Sequence, residues 1–167
     1  KFESAGYEEI SEKRVNIFTK NIDKSLEKFE KLTKQNPDFK TIVGPIGMKY
    51  NNELMFTWQT LLSIKQPRLA KQYIDKVHYD DFTLAMANNY LSSVSKNGLL
   101  FTFGDNDTYP LWYLQTQRNT REDVSVINTS LLNARWYLAM LKDELDKTGK
   151  GELLSFKNED FKNDKLS

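Results

Sequence analysis

Between Tyr7 and Gln35 the apolar residues Ile10, Val15, Phe18, Ile22, Leu26, Phe29 and Leu32 recur mostly three or four apart, with lysine and glutamate in the gaps. That spacing lies close to the helical period and predicts one long amphipathic helix with a single buried stripe. Asn36 and Pro37 end it, because proline disfavours the helical conformation in the residue before it. The stretch TIVGPIGMKY, with two glycines and a proline, reads as an ordered loop. Beyond it, Asn51 or Asn52 can cap a helix in which Leu54, Met55, Trp58, Leu61 and Leu62 share a face, ending near Gln66 and Pro67. Leu69, Tyr73 and Val77 mark a shorter helix. Asp80 or Asp81 then caps a fourth, through Leu84, Ala87, Leu91 and Val94, which Asn97 and Gly98 close.

After Gly98 the period changes. LLFTF and the later DVSVINTS have the length and the aliphatic content of buried strands. Between them, Thr108 to about Arg118 suits a helix, with Asp107 or Thr108 at the N-cap and Pro110 in the first turn. Strand, helix and strand in this order make a βαβ crossover, whose strands run parallel. A last helix from Asn133 to about Lys147 would bury Trp136, Tyr137, Met140, Leu141 and Leu145. The expected fold class is therefore α/β but mostly helical: a helical N-terminal half packed on a small βαβ unit with a short parallel sheet. The expected divisions are a helical region over residues 1–78, the α/β unit over 79–150 and a polar tail over 151–167, together one compact domain.

Composition narrows the chemistry. The 167 residues carry 24 basic and 23 acidic side chains, interspersed, for a net charge of +1, which gives no field suited to a nucleic-acid backbone. Without cysteine there is no thiol catalysis, disulfide or thiolate metal site, and His78 is the single histidine. No apolar run approaches the roughly 20 residues needed to span a bilayer.

The candidate chemistry sits where the two strands end. In an open parallel sheet, ligands bind beyond the carboxyl ends of the strands. That rim would gather Asp105, Asn106 and Asp107 from one strand end and Asn128 and Ser130 from the other. Asp105 and Asp107 could bind a hydroxyl-rich ligand such as a sugar, or share a hard divalent cation, with Trp112 as a stacking surface. The alternative is local. Asp107 would cap the helix, Asp105 would accept N–H groups in the turn, and Trp112, Tyr113, Trp136 and Tyr137 would be core aromatics. An EF-hand loop starting at Asp105 fails, because Pro110 and Thr116 stand where glycine and glutamate are required. A two-metal phosphoesterase fails for want of histidines. No resident metal or cofactor is expected. His78, beside YDD, reads as a surface histidine, and the N-x-S/T triplets at Asn106 and Asn128 carry no weight by themselves.

The segments GLLFTFGDNDTYPLWYLQTQ and REDVSVINTSLLNARWYLAMLK resemble a stretch of a family of large bacterial multi-spanning membrane proteins of unknown function, which are themselves similar to protein O-mannosyltransferases. There the segment lies in the soluble, extracytoplasmic C-terminal part. The resemblance implies a periplasmic or otherwise extracytoplasmic setting, a carbohydrate or membrane-protein partner and no catalytic residue to carry over, since the transferase-like chemistry would lie in the membrane half. The leading expectation is a recognition or accessory module that is not an enzyme by itself. Two alternatives remain: a small metal-assisted or acid/base enzyme using Asp105 and Asp107, and a helical interaction scaffold.

Overall fold

The computed structural model describes residues 10–157 and residue 160, which fall into two compact units, one ending at Met86 and one beginning at Ala87. The first is helical. Helix α1 (Glu12–Gln35) buries Val15 and Leu26 on its apolar stripe; the predicted start at Tyr7 lies outside the described residues. The glycine- and proline-rich stretch folds as a two-residue-per-strand hairpin, β1 (Lys40–Thr41) against β2 (Gly44–Pro45), and runs directly into α2 (Ile46–Ser63). Helix α2 thus begins five residues before the predicted Asn51 cap. Ile46 is almost completely buried, and Pro45 needs no N–H where it precedes the first turn.

Asn51, freed from capping, faces inward. Its Nδ2 donates to the His78 carbonyl at 2.7 Å and its Oδ1 accepts from the His78 N–H at 3.1 Å, so one side chain satisfies both main-chain groups of a residue in the turn after α3 (Pro67–Ile74). The His78 ring itself is exposed. Asp80 caps α4 (Asp81–Ser93) by accepting from the Thr83 N–H at 2.7 Å, and that bond holds its carboxyl below the usual carboxylate range.

The second unit carries the sheet. Strand β3 (Leu99–Thr102) pairs in parallel with β4 (Ser125–Asn128), Leu99 opposite Ser125 through to Thr102 opposite Asn128, and α5 (Asp105–Arg118) is the crossover. A mostly helical α/β fold with a short parallel pair is what the hydrophobic pattern predicts. All of β4 is buried. Ile127 joins Tyr137, Leu141 and Leu145 of α6 (Arg135–Lys147) in a cluster that Leu99, Trp112 and Trp136 flank.

The turn out of α4 is clamped from a distance in sequence. Asn97 takes the left-handed conformation, with φ of 59°, that lets the chain reverse into β3. Arg121 donates to the carbonyls of Leu91 at 2.8 Å and Val94 at 2.9 Å, while Asp123 accepts from Arg121 at 2.8 Å and from the Asn97 N–H at 2.8 Å. The Arg121 guanidinium and the Asn97 N–H hold the Asp123 carboxyl well below its ordinary range. A carboxyl depressed in the folded state contributes stability that is fully present above its unfolded value, about 3.9, and is lost as pH falls through the folded one. Asp123→Asn should therefore flatten the fall of stability below about pH 4, measured by urea unfolding across the acid range. An unchanged acid slope would show that this pair is not part of acid denaturation.

Candidate functional site

Parallel pairing places Thr102 and Asn128, the last residues of β3 and β4, side by side. Two residues later Gly104 has φ of 83° and ψ of 176°, a region open essentially to glycine alone, and this turns the strand straight into a helix. Helix α5 starts at Asp105, three residues earlier than predicted. Gly104 holds the cap position and supplies no side-chain cap. Asp107 is therefore not the N-cap. Asp105 and Asp107 both lie in the first turn, where the positive end of the helix dipole favours acids. Pro110 moves with them into the second turn, so the Asn106 carbonyl receives no main-chain bond from four residues on.

Beneath the turn the polar groups are paired. The fully buried Thr108 hydroxyl donates back to the Gly104 carbonyl at 2.7 Å and lies 2.7 Å from the Thr102 hydroxyl, which is also 3.3 Å from the Ile127 carbonyl. Thr129 Oγ1 donates to the Thr102 carbonyl at 2.6 Å. Asn128 is wholly buried, and its Oδ1 accepts from the Gly104 N–H at 3.2 Å, the Ser130 N–H at 3.1 Å and the Ser130 hydroxyl at 2.7 Å. One amide oxygen thus ties both strand ends and the start of α5 together. Those donors also fix which way the amide faces, because the reverse orientation would set its NH₂ against two N–H groups. Its Nδ2 is buried with no partner among the described residues.

The sequence-derived candidates accordingly divide. Asp105, Asn106, Asp107 and Ser130 are exposed along the rim, whereas Asn128 lies beneath it as a structural tie. Trp112 is half-buried and its indole N–H donates to the Val126 carbonyl at 3.3 Å. Its ring lies 5.8 Å from Tyr109 and 6.3 Å from Tyr137, inside the packing of α5 against α6. Its polar tip serves the sheet.

Sequence reasoning missed two residues that shape this region. Gln115 Nε2 donates to the carbonyls of Val124 at 2.7 Å and Arg121 at 2.9 Å, and the Tyr137 hydroxyl accepts from the Asn128 N–H at 2.8 Å. Burial pushes the Tyr137 phenol up to about 12, so it stays protonated at neutral pH. Gln115 sits among polar residues of α5 with nothing in its neighbours to single it out. Tyr137 reads as apolar core, and only its partner shows what the hydroxyl does.

The rim offers acids and an amide to a ligand. The Ser130 hydroxyl faces an amide oxygen, which is no general base, and His78 belongs to the other unit. Among the described residues no group of three or more His, Cys, Asp or Glu could hold a metal ion, and no helix is long and apolar enough to cross a membrane. Comparison with known proteins adds one relation. Residues 83–165 match the family model described as TMEM260-associated domain 2. The matched span, just under half of the chain, takes in both parallel strands, the GDND turn and α6. Neither a curated protein nor a solved structure matches the chain.

Proposed function

We propose that this chain is a non-catalytic recognition or accessory module of a membrane glycosyltransferase-like protein, working on the extracytoplasmic side, with the rim at Asp105, Asn106 and Asp107 as its contact for hydroxyl-rich ligands. The match to a TMEM260-associated domain supports the setting, TMEM260 being a membrane protein similar to protein O-mannosyltransferases. The observation that carries the rim reading is positional: two carboxylates and an amide stand exposed at the carboxyl end of a parallel pair, above the hydrogen-bonded hydroxyls of the buried Thr108 and the half-buried Thr102. Exposed carboxylates accept from sugar hydroxyls, and the side-chain amide of Asn106 can both donate and accept. Binding needs only these groups.

Titration of ¹⁵N-labelled protein with millimolar mannosides and glucosides tests this. The amide resonances of Gly104 to Thr108 should shift, and Asp105→Asn, which keeps shape and removes charge, should weaken the effect at least several-fold. No shift with any sugar would end the ligand reading. Shifts with magnesium, calcium or manganese but not with sugars would replace it by a cation site.

A further inference from the structure

The two edges of the parallel pair are finished differently. On β4 the outward main-chain groups are closed by side chains: Gln115 donates to the Val124 carbonyl, Trp112 to the Val126 carbonyl, and the Tyr137 hydroxyl accepts from the Asn128 N–H. A strand adding there would have to displace all three. On β3 the parity is set by the Ser125 N–H, which donates to the Gly98 carbonyl at 3.1 Å. Residues 98, 100 and 102 therefore turn their main-chain groups toward β4, and Leu99, Phe101 and Phe103 turn theirs away. Among the described residues none bonds to that outer edge.

The side chains there are equally unprotected. Phe101 is 62% and Phe103 73% exposed, although Ile127, which pairs with Phe101, is buried. Parallel strands are ordinarily covered, and exposed edges ordinarily carry lysine, proline or a bulge against unwanted pairing. LLFTF has no charge and no proline.

We infer that the outer edge of β3 pairs antiparallel with β3 of a second copy of this chain, about a two-fold axis at Phe101. The edge is self-complementary there. Antiparallel pairing centred on Phe101 lets the two copies of that residue exchange both N–H···O=C bonds, and it sets Leu99 of each copy opposite Phe103 of the other. An axis normal to the sheet keeps a face on the same side, so both copies' Phe101 rings come together on one face. The net charge of +1 opposes association little. The product is a four-stranded sheet with order β4, β3, β3, β4, whose two outer edges are the ones already closed by side chains. This inference does not rest on the rim reading.

Sedimentation equilibrium of the 167-residue chain, with amide hydrogen exchange at low and high protein concentration, tests it. A monomer–dimer equilibrium is expected, with the Leu99, Phe101 and Phe103 amides becoming protected as the dimer forms. Phe101→Pro removes an N–H that only the second copy would use, and Phe101→Lys adds a charge at the axis. Each should weaken association about tenfold or more, a difference of about 1.4 kcal/mol or above. Thermal unfolding identifies a variant that fails to fold, in which case the other decides. A chain that stays monomeric at millimolar concentration overturns the proposal. So does a dimer that either folded variant leaves intact, or one in which these amides exchange freely. Protection of the three amides without dimerisation overturns the second copy as occupant and assigns the edge to a segment of the same chain.

Discussion

Replacing Asn128 by alanine should destabilise the protein by about 2–4 kcal/mol, because the main-chain N–H groups of Gly104 and Ser130 and the Ser130 hydroxyl lose their common acceptor at once. Asn128 itself is closed to solvent, whereas water can reach Ser130 and take over part of the loss there, which holds the cost within that range. Removing the unpartnered Nδ2 returns a little, which keeps the figure below the sum of three separate bonds. Ser130→Ala is the control. It deletes only the exposed hydroxyl's bond and should cost less than about 1 kcal/mol. Urea unfolding of the two variants measures both, and equal small effects would show that Asn128 is not what ties the strand ends together.

Gly104→Ala should cost about 1–3 kcal/mol for a different reason. A Cβ there meets nothing within 4 Å, so the penalty is purely conformational, set by φ of 83° with ψ of 176°. Gly104→Asn should recover almost none of it. Asparagine relieves a left-handed helical residue but not this extended, positive-φ region. A large recovery by asparagine would mean that the turn relaxes into an ordinary left-handed conformation. A neutral alanine variant would mean that the strand-to-helix turn is not strained at all. Either variant also displaces Asp105 and Asp107, so loss of any sugar-dependent resonance shift should accompany loss of stability.

Much of this architecture could be read before any coordinates. The stripe of α1, the strand character of LLFTF and SVIN, and the parallel sense of their pairing follow from spacing and from the crossover length, and all three stand in the structure. The helix starts were harder. Asn51 and Asp107 both have the chemistry of a cap, yet α2 begins before one and α5 before the other. A short polar side chain next to an apolar run can cap a helix, staple a loop or face water, and its own residue type does not choose among these. For Asn51 the choice was made by His78, twenty-seven residues away, whose N–H and C=O needed partners.

By itself, then, the sequence determined what depends on periodicity: which stretches are helical, which are strands, which faces are apolar, and that the GDND turn stands at the end of a parallel strand. Tertiary structure alone decided which polar groups are used up. It put Asn128 under the rim and Asp105 and Asp107 on it, gave the Trp112 indole N–H to a β4 carbonyl, and set Gln115 and Tyr137 on the edge of β4, while no described residue bonds to that of β3. The reason is that apolar burial repeats along the chain with the period of the element, whereas a hydrogen bond is satisfied by whichever donor or acceptor the fold brings within about 3 Å, at any separation in sequence.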